Sequence, residues 1–407
     1  MDLRERRELV EQVAQEVVNR IALGEKVNKL ADQALTRMVS SHSNQAAGLP
    51  PHASSTPPSA RSTPRKLILR SKLSPGDILM LTAAVRDLHL TCPGQFVTDM
   101  RTSCRELWEN NPHITSLSVN EPDVEVIECK YPLVHQSNHA PYHFIHAYRM
   151  FLDKTLGVHT QAHAFKGDIH LRNEEREWIS QVAEVTGKPS PRFWIVVSGG
   201  KKDFTNKWWD PARFQEVVDH FQGRLLFVQV GQDRHVHPPL HGVINLVGKT
   251  DLRQLVRLVY HSDGVLCGVT LLMHLAAAVE SKPGRPRNRP CVVIAGGREP
   301  SHWEAYPHHQ FLHTNGALPC CDAGGCWKSR IQPLGDDDEK DRSLCVRPVA
   351  TRTGLILPRC LDLVTAKDAI RAIELYLTYE QGAPDAHTTG ETGQPIHANG
   401  LLAGSVI

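Results

Sequence analysis

At 407 residues the chain exceeds what one hydrophobic core usually organises, so two domains with appendages are expected. A formal charge of +2, from 46 Lys and Arg against 44 Asp and Glu, supplies no field to draw in nucleic acid or an anionic membrane. No apolar run reaches the ~18 residues of a transmembrane segment, and the start MDLRERRELVEQ is charged where a signal peptide is apolar, so a cytoplasmic protein is expected. Ten cysteines in that compartment should be reduced, which makes any cluster of them a metal-site candidate before a disulfide.

Residues 1–40 carry Leu9, Val10, Val13, Val17, Ile21 and Leu30 at mostly helical spacing among alternating charges. They predict a helical arm whose apolar stripe packs on the body or joins subunits into a homo-oligomer. Residues 41–65 are rich in Ser, Pro and Ala and read as a flexible linker. Lys66–Arg70 then predicts a strand, followed by the loop SKLSPGD and a helix ILMLTAAVRDLH. Further strands are expected at 95–100, 114–119 and 124–129, with helices at 104–110, 143–156 and 174–185. Together they describe a Rossmann-like domain over residues 66–187.

A second βα series fills residues 188–380, with strands at 193–197, 224–230, 243–246, 264–267 and 290–295 and helices at 211–221, 251–261 and 271–281. Each strand is a nearly continuous apolar run, as in a parallel sheet covered on both faces. Ligands then belong at the carboxyl ends of the strands. There the chain places Ser198, Gly199 and Gly200, then Gly231, then Gly268 to Thr270. The stretch SDGVLCGVTLLMHLAAAV is the sharpest of these, a strand, a tight loop and a helix start, where unpaired amides favour a phosphate and Thr270 could add a hydroxyl, the alternative being one more βα unit with no ligand. Asp77, directly after the first strand, could take a proton from an attacking hydroxyl, or could simply cap a helix beginning at Ile78. A final helix is expected from 362 to 379, and the tail 381–407 lacks any core-forming pattern.

Three separated segments carry a resemblance: SKLSPGDILMLTAAVRDLH, KWWDPARFQEVVDHF and INLVGKTDLRQLVRLVYHSDGVLCGVTLLMHLAAAV. From Lys66 to about Leu377 the chain resembles the family 9 glycosyltransferases, whose best-known members are ADP-heptose:lipopolysaccharide heptosyltransferases of GT-B fold. The resemblance implies an α/β protein of two facing Rossmann-like domains with parallel sheets, the first for the acceptor and the second for the nucleotide sugar. It implies an inverting transfer of a sugar, heptose by analogy, from an ADP-type donor to a glycan, lipid-linked or protein hydroxyl at the inner membrane face. It implies Asp77 on the acceptor side and Lys207, Thr270, Leu271 and His274 on the donor side, with no cofactor needed for the chemistry, although a lone histidine near an apolar face could equally make His274 a structural residue. In such folds the last helix often returns to the first domain. One departure stands out: Val269-Thr270-Leu271 replaces the family's Asp-Thr-Gly or Asp-Ser-Gly, which leaves the donor sugar open. A sugar-nucleotide epimerase or hydrolase of the same fold, or an inactive scaffold that binds a partner, are the competing readings.

The insertion 319–348 holds Cys320, Cys321, Cys326 and Cys345, with Cys360 just beyond. Four or five thiols could complete a tetrahedral zinc or iron site, and some family members that modify proteins carry a comparable cysteine finger. The plainer alternative is a set of buried thiols. Cys92, Cys104, Cys129, Cys267 and Cys291 fall in or near predicted elements and read as core.

Overall fold

A computed structural model describes residues 63–130 and 136–382, with side chains through residue 378. The arm expected over 1–40, the linker up to residue 62 and the tail beyond 382 lie outside the described residues.

Strand β1 (Arg65–Ser71) buries Leu67, Ile68 and Leu69 completely, because helix α1 (Pro75–Thr91) lies across one face of the sheet. Side chains of this size contribute about 1.5–3 kcal/mol each when fully buried. Strands β2 (Phe96–Thr102) and β3 (Val124–Glu128) both run parallel to β1, in the order β2-β1-β3. The strand expected at 114–119 shrinks to one bridge, Thr98 to Ile114. Side chains take its other backbone groups: Leu117 N–H donates to Asp99 at 3.2 Å, and its carbonyl accepts from Arg101 at 2.6 Å. The helix expected at 104–110 is a single tight turn, Arg105–Trp108.

Helix α2 (Ala147–Leu156) ends where Gly157 takes the left-handed φ of 71°. The helix expected over 174–185 is two, α3 (Asn173–Glu177) and α4 (Gln181–Thr186). Arg257 explains the break, since its guanidinium stacks 5.6 Å from the Trp178 ring and donates to the Ile179 carbonyl.

The second sheet follows. It contains β4 (Phe193–Val196), helix α5 (Pro211–His220), β5 (Leu226–Gln229), β6 (Ile244–Asn245), helix α6 (Leu252–His261), β7 (Gly264–Gly268), helix α7 (Leu271–Ala278) and β8 (Cys291–Gly296). A short helix α8 (Ser301–Glu304) leads to β9 (Gln310–His313), an edge strand that the mixed sequence QFLH does not announce. All six strands are parallel, ordered β6-β5-β4-β7-β8-β9, so the winding direction reverses between β4 and β7. That reversal opens a crevice at the carboxyl ends. Glycine is required at 264, where an added Cβ would lie 2.3 Å from the Trp194 indole of the neighbouring strand.

A hairpin of β10 (Pro348–Ala350) and β11 (Ile356–Pro358) precedes α9 (Arg359–Asp362) and α10 (Ala366–Gly382). The resemblance sends this last helix back to the first domain. Over its described side chains it binds the second sheet instead: Glu374 pairs with Arg224 at 2.7 Å, and the Tyr376 hydroxyl donates to the His308 carbonyl at 2.6 Å. One apolar cluster runs from Leu67 and Leu79 through Tyr148 to Val265, Met273 and Trp303, so the two sheets share a core. No described helix is long and apolar enough to cross a membrane.

Candidate active site

Helix α1 begins at Pro75, three residues before the sequence suggests, so Asp77 sits inside its first turn. The Asp77 carboxylate accepts the Ser74 N–H at 3.1 Å, a capping contact that fixes its rotamer and points it toward the helix start. Gly76 brings this turn against α7: a Cβ there would lie 3.4 Å from Cδ2 of His274. Lys201 reaches the same turn, its Nζ 3.3 Å from the Ser74 hydroxyl.

On the opposite wall, Thr270 caps α7 in an extended conformation and Leu271 opens the helix. The Thr270 hydroxyl is buried without a hydrogen-bond partner. The amides of this first turn and that hydroxyl form the donor set expected for an anion. Lys207 ends a 3-10 segment, Lys202–Lys207, with its Nζ 2.7 Å from Glu299. Glu299 is 3% exposed and also pairs with Arg298. Burial alone would raise its carboxyl, but Arg298 and Lys207 hold it below the ordinary range.

Behind these groups lies a buried polar cluster. His274 Nδ1 is 3.0 Å from the Tyr306 hydroxyl, and Nε2 is 3.4 Å from Glu304. Burial drives the His274 imidazole well below its usual titration range, so it is neutral. Burial, reinforced by the negative charge of Glu299, pushes Glu304 up to about 8, so near neutral pH it keeps its proton. The Tyr306 hydroxyl in turn reaches Met80 of α1 at 3.6 Å. Glu299, Glu304 and Tyr306 were not singled out in the sequence. The signal for them is the crowding of Arg, Glu, Trp and Tyr directly after the Gly296-Gly297 turn.

The other glycine loops are differently occupied. Ser198 is fully buried, donating to the Pro238 carbonyl at 3.0 Å and accepting from Gln229 at 2.7 Å. Gly200 exchanges two backbone hydrogen bonds with Val236, at 2.9 and 3.1 Å, so its amide is spent on the loop after β5. Gly199 allows that approach, since a Cβ there would meet the Val236 carbonyl oxygen at 2.0 Å. Gly231 leaves room for the His237 ring, which a Cβ would overlap at 2.3 Å. Ser198 and Gly199 also help wall a cavity of about 360 Å³ with Trp208, Trp209 and Pro211. Its size suits a base or one sugar ring.

Cys320, Cys321, Cys326, Cys345 and Cys360 all line one small cavity, together with Lys328, Arg347 and Arg359. The Arg347 amide donates to the Cys345 sulfur at 3.4 Å, and the Asn206 amide to the Cys326 sulfur at 3.9 Å. Cys321 differs, because its thiol donates to the Leu318 and Thr314 carbonyls at 3.4 and 3.6 Å. Burial raises the other four thiols, Cys360 to about 12, and neighbouring sulfurs add to the effect. Among the described residues no group of three or more His, Cys, Asp or Glu is already drawn together as a metal cage. The donor set is nevertheless all sulfur, with amides and cations disposed to favour thiolates, which fits a thiophilic cation. The five other cysteines are buried in the core, as expected. Nearby, fully buried Arg330 gathers Asp336 at 2.7 Å, Asp338 at 3.9 Å and Asp341 at closer range.

The family model described as Glycosyltransferase family 9 (heptosyltransferase) matches residues 126–321. No curated protein matches the chain. Among solved structures, the chain is similar to a glycosyl transferase family 9 protein from Veillonella parvula DSM 2008. That protein is 14% identical with a TM-score of 0.53, over 78% of this chain and 98% of the other. It is also similar to the iron-containing dodecameric glycosyltransferase TibC from enterotoxigenic E. coli H10407, 18% identical with a TM-score of 0.52, over 78% of this chain and 77% of the other. The heptosyltransferase TibC in complex with ADP-D-beta-D-heptose gives 16% and 0.50 over 78% and 77%. At these identities the likeness speaks for the fold, which is the GT-B arrangement of two parallel α/β sheets.

Proposed function

As a member of glycosyltransferase family 9, matched over residues 126–321, the chain is a glycosyltransferase, and we propose that it transfers a sugar, heptose by preference, from an ADP-type donor with inversion. The observation that carries this reading is the meeting of two helix starts. The α1 turn that carries Asp77 lies against α7 at His274, α7 begins at the partnerless Thr270 hydroxyl and its first-turn amides, and Lys207, paired with Glu299, is close enough for its charge to bear on His274.

The acceptor hydroxyl oxygen attacks the anomeric carbon while Asp77 takes its proton. The new C–O bond forms as the bond from that carbon to the diphosphate oxygen breaks. Negative charge grows on the departing nucleoside diphosphate, and in this reading Lys207, Thr270 and the α7 amides meet it. Neutral His274, with protonated Glu304 and Tyr306 behind it, adds no opposing charge beneath the diphosphate. Residues 66–187 serve the acceptor, a glycan, lipid-linked or protein hydroxyl on the cytoplasmic side, and residues 188–380 serve the donor.

We assign a structural zinc or iron to Cys320, Cys326, Cys345 and Cys360, leaving Cys321 as a protonated thiol tied to two carbonyls. Such an ion supplies cross-linking rather than chemistry, holding an insertion too poor in apolar side chains to keep one shape alone. The test of the transferase reading is a donor screen by nucleotide release, run on the wild type and Asp77→Asn. Release from an ADP sugar that depends on Asp77 supports the reading. Absence of turnover with every ADP, UDP, GDP and dTDP sugar overturns it.

A further inference from the structure

The segment 136–146 in the first half of the chain carries a contact that the proposed chemistry does not use. Asn138 presents its side-chain amide edge-on to the backbone of Gly325, between Cys321 and Cys326. Its Nδ2 donates to the Gly325 carbonyl at 2.8 Å, and its Oδ1 accepts the Gly325 N–H at 3.0 Å. The same Oδ1 takes the Trp327 indole N–H at 3.2 Å. A side-chain amide that satisfies both groups of one peptide residue and a third donor is fully specified, and a single-residue change cannot replace it.

The neighbours repeat the link. His302 Nε2 lies 2.8 Å from the Ser137 carbonyl, so that nitrogen holds the proton. The Trp303 ring sits between Phe144, at 5.7 Å, and Trp327, at 5.9 Å. Trp327 in turn carries the Arg298 guanidinium at 5.6 Å, and Arg298 holds Glu299, the partner of Lys207. Phe144 continues to His274, with ring centres 5.0 Å apart. The backbone closes the chain: Cys326 N–H donates to the Gly297 carbonyl at 3.3 Å, and Trp327 N–H to Arg298 at 3.0 Å. Gly324 and Gly325 are there because nothing larger fits. Their added Cβ atoms would meet Asn138 Oδ1 at 2.8 Å and the Arg298 carbonyl at 2.4 Å.

We propose that Asn138 is a positioning residue through which the cysteine module fixes the segment 136–146 on the acceptor side, so that order in the thiol cavity sets the geometry of the cleft. The link to transfer rests on the function proposed above; the link between module and segment does not. Peptides covering 136–146 and 319–328 report on it by amide hydrogen exchange in the full chain.

Four variants decide it. Asn138→Ala should raise exchange in 136–146 at least tenfold while the affinity for ADP stays within twofold of wild type. Cys345→Ser, a thiol change with no contact to Asn138, should loosen 319–328 and also 136–146. In the double variant, Cys345→Ser should add nothing further at 136–146, because the connection is already cut. Asn138→Asp keeps the acceptor for Gly325 and Trp327 and should fall between wild type and Asn138→Ala, a graded result that general loosening would not give. Should Cys345→Ser fail to fold, chelation of wild type by a thiol-competing chelator replaces it as the perturbation of the cavity. The proposal is overturned if 319–328 loosens while 136–146 stays as protected as in wild type, or if the two substitutions act additively on 136–146. Loss of ADP-sugar turnover in the wild type would count against the transferase reading and leave this coupling standing.

Discussion

Replacing Glu304 by glutamine asks whether the buried carboxyl beside His274 is a proton-bearing neutral group or half of an ion pair. Glu304 titrates near 4.5 in an unfolded chain and at about 8 in the fold, mainly through burial. Between those values the unfolded state sheds a proton that the folded state keeps. Wild-type stability therefore falls as pH rises from about 4.5 to about 8, by roughly 1.4 kcal/mol per pH unit at most. Glutamine keeps the shape and never ionises. Glu304→Gln should accordingly match the wild type at pH 4.5 and gain on it steadily, to a ceiling on the order of 5 kcal/mol near pH 8. For a chain of this size that is about 10 °C in melting temperature. His274, held below its ordinary range, destabilises the fold as pH falls, but it does so in both proteins and cancels from the difference. Melting both proteins by differential scanning fluorimetry from pH 4.5 to 9 gives the curve directly. If Glu304→Gln is the less stable protein at pH 7, and its deficit grows toward the pH where His274 and Glu304 are both charged, the pair is ionic and the neutral-cluster argument fails.

Asp77→Asn should fold like the wild type, because the amide oxygen still accepts the Ser74 N–H, yet lose transfer by a factor of about 100 or more; an unimpaired rate in a nucleotide-release assay would remove Asp77 as the base. Lys207→Ala should weaken ADP-sugar binding by about tenfold or more in calorimetry. It should cost only about 1–3 kcal/mol in stability, since Arg298 still faces Glu299; normal donor binding in a badly destabilised variant would make the lysine structural. Elemental analysis of protein purified without added metal should find about one zinc or iron per chain. Cys321→Ala should retain it and Cys345→Ala should lose it, whereas metal-free wild type with five titratable thiols would leave only buried cysteines. Gly199→Ala should damage folding, because its Cβ would enter the Val236 carbonyl at 2.0 Å, and recovery of normal soluble yield would contradict that contact.

What could be read in the sequence follows from how local each signal is. The central strands β4, β7 and β8 are unbroken apolar runs because both faces are covered, so composition alone marks them. β9 pairs along one edge only and none of its residues is fully buried, which leaves QFLH looking like loop. The break between α3 and α4 depends on Arg257, nearly eighty residues on in the chain and invisible to any window around Trp178. At the site, the helix start at Thr270 and the carboxylate of Asp77 were legible as residue types at element junctions. The commitments of Ser198 and Gly200 were not, because they arise where the loops after β4 and β5 meet. Glu299, Glu304 and Asn138 owe their significance to burial and to partners far away in sequence, Lys207, His274 and Gly325, and such pairings leave no pattern along the chain.

Arg330 gives the cysteine-rich insertion a second, different kind of fastening. Its guanidinium occupies the centre of Asp336, Asp338 and Asp341 much as a dissolved cation would, but it is covalently tethered and cannot be exchanged. Hydrogen bonding and charge from Arg330 hold Asp336 below the ordinary carboxylate range, and backbone amides do the same for Asp341. The insertion thus has, apart from its thiol-lined cavity, a portion fastened by charge, which acid loosens by protonating the carboxylates. If the thiol cavity holds an ion as proposed, removing that ion leaves the Arg330 cluster, and the turn it ties together, in place.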